Sequence, residues 1–61
     1  MPIVTVKMLE GRSDDQKKAL AAKVTDAVVE TTGASPDKVS IIIEEMKKTD
    51  YAVGGVRVSD Q

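Results

Sequence analysis

Two β-rich runs with one helix-length amphipathic stretch between them leave this chain few ways to fold. Residues 2–8 read PIVTVKM and residues 39–46 read VSIIIEEM, both rich in β-branched side chains. In the first run Val4, Val6 and Met8 fall on one face, and Ile3, Thr5 and Lys7 on the other. The centre of the second run is apolar on both faces, the pattern of an interior strand in a parallel sheet. Between them, Gly11 breaks the first strand and Ser13 with Gln16 fits a capping box. Asp14 and Asp15 suit the positive end of a helix dipole. The spacing predicts a helix over 14–32, with Leu20, Val24, Ala27, Val28 and Thr31 as its buried stripe. Lys17, Lys18, Lys23, Asp26 and Glu30 take its remaining surface, and Gly33 is placed to end it in a left-handed conformation. Ser35 and Pro36 suit the cap and first position of one short turn. KKTD at 47–50 reads as a turn, and YAVGGVRV at 51–58 as a hairpin or bulged strand around Gly54 and Gly55. Strand, helix, strand in that order is a βαβ unit, whose crossover is expected to be right-handed. The fold class is therefore α/β, a single domain over 1–61 with parallel strands and a C-terminal β-hairpin.

Such a unit is poorly supplied with core. A chain of 61 residues buries only about 60% of the surface its unfolded form exposes. Small domains make up the deficit with disulfides, metals or self-association. This one has no Cys and no His, so disulfides, thiolate chemistry and the usual zinc ligands are excluded. Ser–His and Cys–His nucleophiles are excluded with them. Self-association is left: one helix on a two-stranded sheet exposes two sheet edges and one sheet face, which copies of the chain can close.

Charge narrows the partners. Nine basic and ten acidic side chains, interspersed, give a net charge of −1, and Tyr51 is the only aromatic residue. Neither a phosphate-binding stripe nor a stacking platform is available for nucleic acid. No apolar run approaches the roughly 18 residues of a membrane span, and no signal-peptide pattern opens the chain. These features are those of a soluble, cytoplasmic protein.

Two positions carry possible chemistry. With Met1 removed, Pro2 is a free secondary amine. An ordinary α-amino group titrates at about 7.7–8.0, and burial or a nearby arginine lowers that value. Either shift leaves a neutral base at physiological pH, suited to general acid–base work. The competing reading is a proline with no role beyond its place in the chain. Arg12 sits in the first turn of the βαβ unit, at the carboxyl end of a strand, where ligands bind in such folds. Its guanidinium fork matches a carboxylate at two points, against the plainer reading of a solvated turn charge. A strand of about seven residues at roughly 3.3 Å each separates Pro2 from Arg12, so the pocket is elongated or shared between chains. Glu44 and Glu45 point to opposite faces of a strand and form no carboxylate pair. Arg57, alone among valines, is a candidate for burial beside another chain's site.

The motifs together resemble the 4-oxalocrotonate tautomerase family over nearly the whole length. They are P-I-V-T-V after the initiator, L-E-G-R-S-D-D-Q-K at the helix start, T-G-A-S-P before the second strand, I-I-E-E-M within it and Y-A-V-G-G in the tail. The resemblance implies a hexamer, a trimer of dimers, acting without a cofactor or metal on a small-molecule carboxylate. It implies Pro2 as the base that carries a proton from enol oxygen to carbon. Arg12 falls on the family arginine that holds a substrate carboxylate, Tyr51 on an aromatic of the pocket wall, and Gly54 and Gly55 on the tail glycines. Ser40 departs from the family, which has a second arginine there to polarise the substrate oxygen. A water on Ser40, the Tyr51 hydroxyl or a neighbour's Arg57 are the available substitutes. The implied activity is tautomerisation of 2-hydroxymuconate-like dienols to 2-oxo acids. The alternatives are hydration or dehalogenation of unsaturated acids by the same proline, or a self-assembling binding protein with a decayed site.

Overall fold

Ile3–Leu9 forms strand β1 and Ser40–Met46 forms β2 in the computed structural model, which describes residues 1–61. The two pair in parallel, Ile3 opposite Ser40 through Leu9 opposite Met46. Helix α1, Asp14–Thr32, makes the crossover between them, and it spans the residues that the sequence periodicity marks. Its start is fixed by the expected capping box. The Ser13 hydroxyl accepts from the Gln16 N–H at 3.2 Å, and the Ser13 N–H donates to Gln16 Oε1 at 2.9 Å.

Gly33 ends the helix at φ 77°, with its N–H donating to the Val29 carbonyl at 3.0 Å. A side chain there would meet open space, so any cost of substitution is the backbone conformation itself. Gly33→Ala is expected to destabilise the protein by about 1 kcal/mol per protomer, the penalty of a left-handed non-glycine residue. A urea midpoint at fixed protein concentration measures it.

One part of the helix pattern differs from expectation. The half-buried positions are Lys17, Leu20, Ala21, Val24, Thr25, Val28 and Val29, while Ala27 and Thr31 face water. The stripe therefore drifts toward 21, 25 and 29 on its other flank. It includes Lys17 because this lysine reaches across to the sheet, donating to Glu45 at 2.9 Å. Lys17 bridges helix and sheet with its stem along the apolar face.

A 3₁₀ turn at Pro36–Lys38 leads into β2. Ser35 is its N-cap residue and Pro36 follows in its first turn, as expected, but the Ser35 hydroxyl donates to the Asp37 carboxylate and makes no capping bond to a backbone N–H. After a second such turn at Lys48–Asp50, the tail forms β3, Ala52–Val53, and β4, Val56–Arg57, paired antiparallel. Gly54 and Gly55, at φ 61° and 85°, make the two-residue reversal. Positive φ at both central residues is the hairpin turn whose twist matches its strands.

The protomer leaves much unburied. It is a slab of 43 × 24 × 13 Å with a radius of gyration of 14.5 Å, against about 10.5 Å for a compact chain of this length. Its accessible surface is 4623 Å², where a folded monomer of this mass exposes about 3,800 Å². No residue is fully buried, and Ile3 and Ile42 stand 51% and 46% exposed on the sheet face turned away from the helix. That face and the free strand edges are left uncovered in the protomer.

Candidate active site

Pro2 is half-buried directly before β1, and its carbonyl accepts the Ser40 N–H at 3.0 Å. The ladder continues with Ile3 opposite Ser40. Ser40 is exposed on the open sheet face, in alternation with Ile41 and Ile43 beneath the helix. Pro2 and Ser40 are thus neighbours at the beginning of the sheet.

Arg12 lies at the far end. Seven residues of β1 intervene, roughly 23 Å of extended chain. Arg12 immediately precedes the N-cap Ser13, so the capping box also fixes the backbone from which the guanidinium departs. Its side chain makes no ion pair within the chain; the three pairs present are Lys7–Glu44, Lys17–Glu45 and Arg57–Asp60.

Arg12 borders an open depression of ≈ 210 Å³ lined also by Met8, Gln16, Lys17 and Leu20. Gln16 and Leu20 stand four apart on one face of α1, just past the turn that carries Arg12. Met8 enters from the strand face that packs under the helix. The depression therefore joins an apolar floor to an unpaired guanidinium, which suits a small carboxylic acid. Sequence reasoning isolated Arg12 here and missed its companions, although the four-residue spacing was there to be read.

Lys17 is the second cation of this wall. The hydrogen bond to Glu45, and then its charge, raise the lysine pKa above the ordinary value, with a lesser contribution from Asp14 outweighed by desolvation. Lys17 is therefore fully charged at neutral pH.

The other predicted positions lie in the tail that follows β2. Tyr51 begins the tail, 40% exposed, and its carbonyl accepts the Val58 N–H at 2.9 Å. Arg57 is bound twice by Asp60, through Nε at 2.8 Å and Nη2 at 3.2 Å. The expectation that Arg57 stands isolated thus meets an internal partner three residues on. One chain accordingly brings Pro2 to Ser40 but not to Arg12.

The family model described as Tautomerase enzyme matches residues 2–61. The chain belongs to the tautomerase family. A 2-hydroxymuconate tautomerase of Bacillus subtilis is 65% identical over 60 residues, covering 98% of this chain and 97% of that one. Among solved structures, a homologue of 4-oxalocrotonate tautomerase named YwhB superposes with a TM-score of 0.95 at 63% identity, covering 98% of each chain. A heterohexamer 4-oxalocrotonate tautomerase from Chloroflexus aurantiacus gives a TM-score of 0.92 at 33% identity, covering 98% and 97%. This tautomerase is thus an isomerase with the small βαβ-and-hairpin fold of those structures, as its motifs led one to expect. Membership favours catalysis over the reading of a decayed binding protein.

Proposed function

We propose that this tautomerase converts 2-hydroxymuconate-like dienols to their 2-oxo isomers as a homohexamer, without a cofactor. Pro2, freed of Met1, takes the enol proton and returns it to carbon. Arg12 of another protomer holds a carboxylate, and Tyr51 contributes to the pocket wall. Ser40, beside Pro2, occupies the oxyanion side of the site with a short neutral group.

The observation that carries this reading is the separation of the two ends. Pro2 opens β1 and the unpaired Arg12 follows its close, while strand edges and the apolar sheet face remain uncovered. A two-fold axis perpendicular to an edge strand sets that strand antiparallel to its copy. It thereby lays the Pro2 end of one chain along the Arg12 end of the other. A closed assembly of such pairs also covers Ile3 and Ile42. Subunit sharing then explains why neither end is a complete site by itself.

Met1 provides the direct test. While it is attached, the Pro2 nitrogen is an amide without basicity, and its removal creates the base. Protein shown by intact mass to retain Met1 should turn over enol at the uncatalysed rate, and the processed protein should be active. Equal rates would remove the N-terminal amine from the mechanism.

A further inference from the structure

We propose that Glu45, acting through Lys17, sets the preference of the Arg12 depression between mono- and dicarboxylic acids. The inference rests on Arg12 as the carboxylate anchor and adds a determinant of which acids are favoured. Two cations line the depression, and they differ in state. Arg12 has no internal partner, whereas Lys17 Nζ is held 2.9 Å from Glu45 Oε1, the two side chains being 28% and 35% exposed. That contact compensates the lysine's charge and draws its head toward the sheet.

Strand alternation makes the arrangement specific to Glu45. Its neighbour Glu44 points to the opposite sheet face, where it meets Lys7 at 4.0 Å between well-exposed side chains. Glu45 stands in register with Met8, itself a wall of the depression. Asp14, in the first helical turn, acts on Lys17 in the same sense as Glu45. The depression thus presents one uncompensated fork, an ammonium paired with a carboxylate, and the apolar surfaces of Met8 and Leu20. One carboxylate followed by an uncharged chain fits that balance. A second carboxylate finds no free cation there. Glu45 is a positioning residue in this scheme, since it acts only by holding Lys17.

The test compares KM for 2-hydroxymuconate with KM for its analogue lacking the distal carboxylate. Glu45→Gln frees Lys17, so the ratio of monocarboxylic to dicarboxylic KM should rise about three- to five-fold, the scale of an exposed charge pair. That rise should shrink as ionic strength is increased. Lys17→Gln leaves the Glu45 carboxylate unpaired beside the depression, and the ratio should fall below that of the natural protein. Opposite signs from the two variants are a result that loss of packing does not produce. Native mass spectrometry verifies assembly of each variant, and if Glu45→Gln does not assemble, Lys17→Gln decides alone. Unchanged ratios overturn the proposal. The anchor is tested separately: Arg12→Ala should raise KM for both acids. If it raises neither, the Arg12 reading falls; if it does while the ratios stay fixed, only the role of Glu45 falls.

Discussion

Pro2→Ala lowers the rate of enol disappearance about a hundred-fold or more in the processed protein. Positioned general acid–base groups contribute about 10²- to 10⁴-fold. The lower part of that range is expected, because alanine still offers a primary amine after Met1 is removed. What is lost is the ring that fixes the amine's direction and its secondary-amine basicity. The fold should not suffer, since the one backbone contact at this position uses the Pro2 carbonyl to accept from Ser40, and alanine keeps that carbonyl. The loss should therefore appear in kcat, with the denaturation midpoint near that of the natural chain. Intact mass must show Met1 removed from both proteins, because an acylated terminus would imitate the same defect. Equal rates in two correctly processed proteins exclude Pro2 as the proton carrier.

The local elements were readable because each is written in neighbouring residues. Ser13 and Gln16 mark the start of α1, Gly33 its end, and the Gly54–Gly55 pair the hairpin, each a short-range rule of backbone hydrogen bonding or positive φ. Alternation likewise put Val4, Val6 and Met8 on one face, and the structure turns that face toward the helix. The helix stripe was read with less success. Thr31 matched its period yet is exposed, while Lys17 is half-buried through an ion pair with a residue 28 positions away. No local pattern announces such a partner. Arg57 gave the converse case: it looked isolated by residue type, and its partner Asp60 lies in the next turn.

The site was legible only in part, for a related reason. Pro2 and Arg12 were found as residue types with suitable chemistry, and the register then set them at opposite ends of one sheet. Composition pointed to self-association as the remedy left to a chain without Cys or His, and the slab shape shows a deficit of buried surface. Which protomers meet is decided by tertiary and quaternary geometry, beyond the reach of spacing rules. The groove around Arg12 is intermediate. Its helical residues follow a four-residue rhythm, while Met8 joins them only because strand and helix pack together.

Ser40→Arg raises turnover of the dicarboxylic enol, by as much as a hundred- to a thousand-fold. A single preorganised donor to a developing oxyanion is worth about 2.7–4 kcal/mol, and serine at this position offers neither charge nor reach. The structure makes the substitution feasible. Ser40 is exposed on the open sheet face, and its backbone N–H already binds the Pro2 carbonyl, so a longer side chain starts beside the proposed base. On the same face of the strand, Glu44 lies four residues along and pairs with Lys7. An arginine there serves two ends of the chemistry, polarising the enol oxygen and gripping a second carboxylate. Only a diacid uses both, so its kcat/KM should gain more than that of a monocarboxylic enol. The comparison is made on the two acids with processed protein, alongside Ser40→Gln, which supplies a neutral donor. Glutamine should recover part of the rate on both acids alike, whereas arginine alone should separate them. A uniform gain from arginine would mean that the position stabilises the oxyanion without selecting the diacid. No gain at all would mean that Ser40 does not face the reacting atoms, and the proposed assembly of Pro2 with Arg12 would have to be redrawn with another part of the sheet around the substrate.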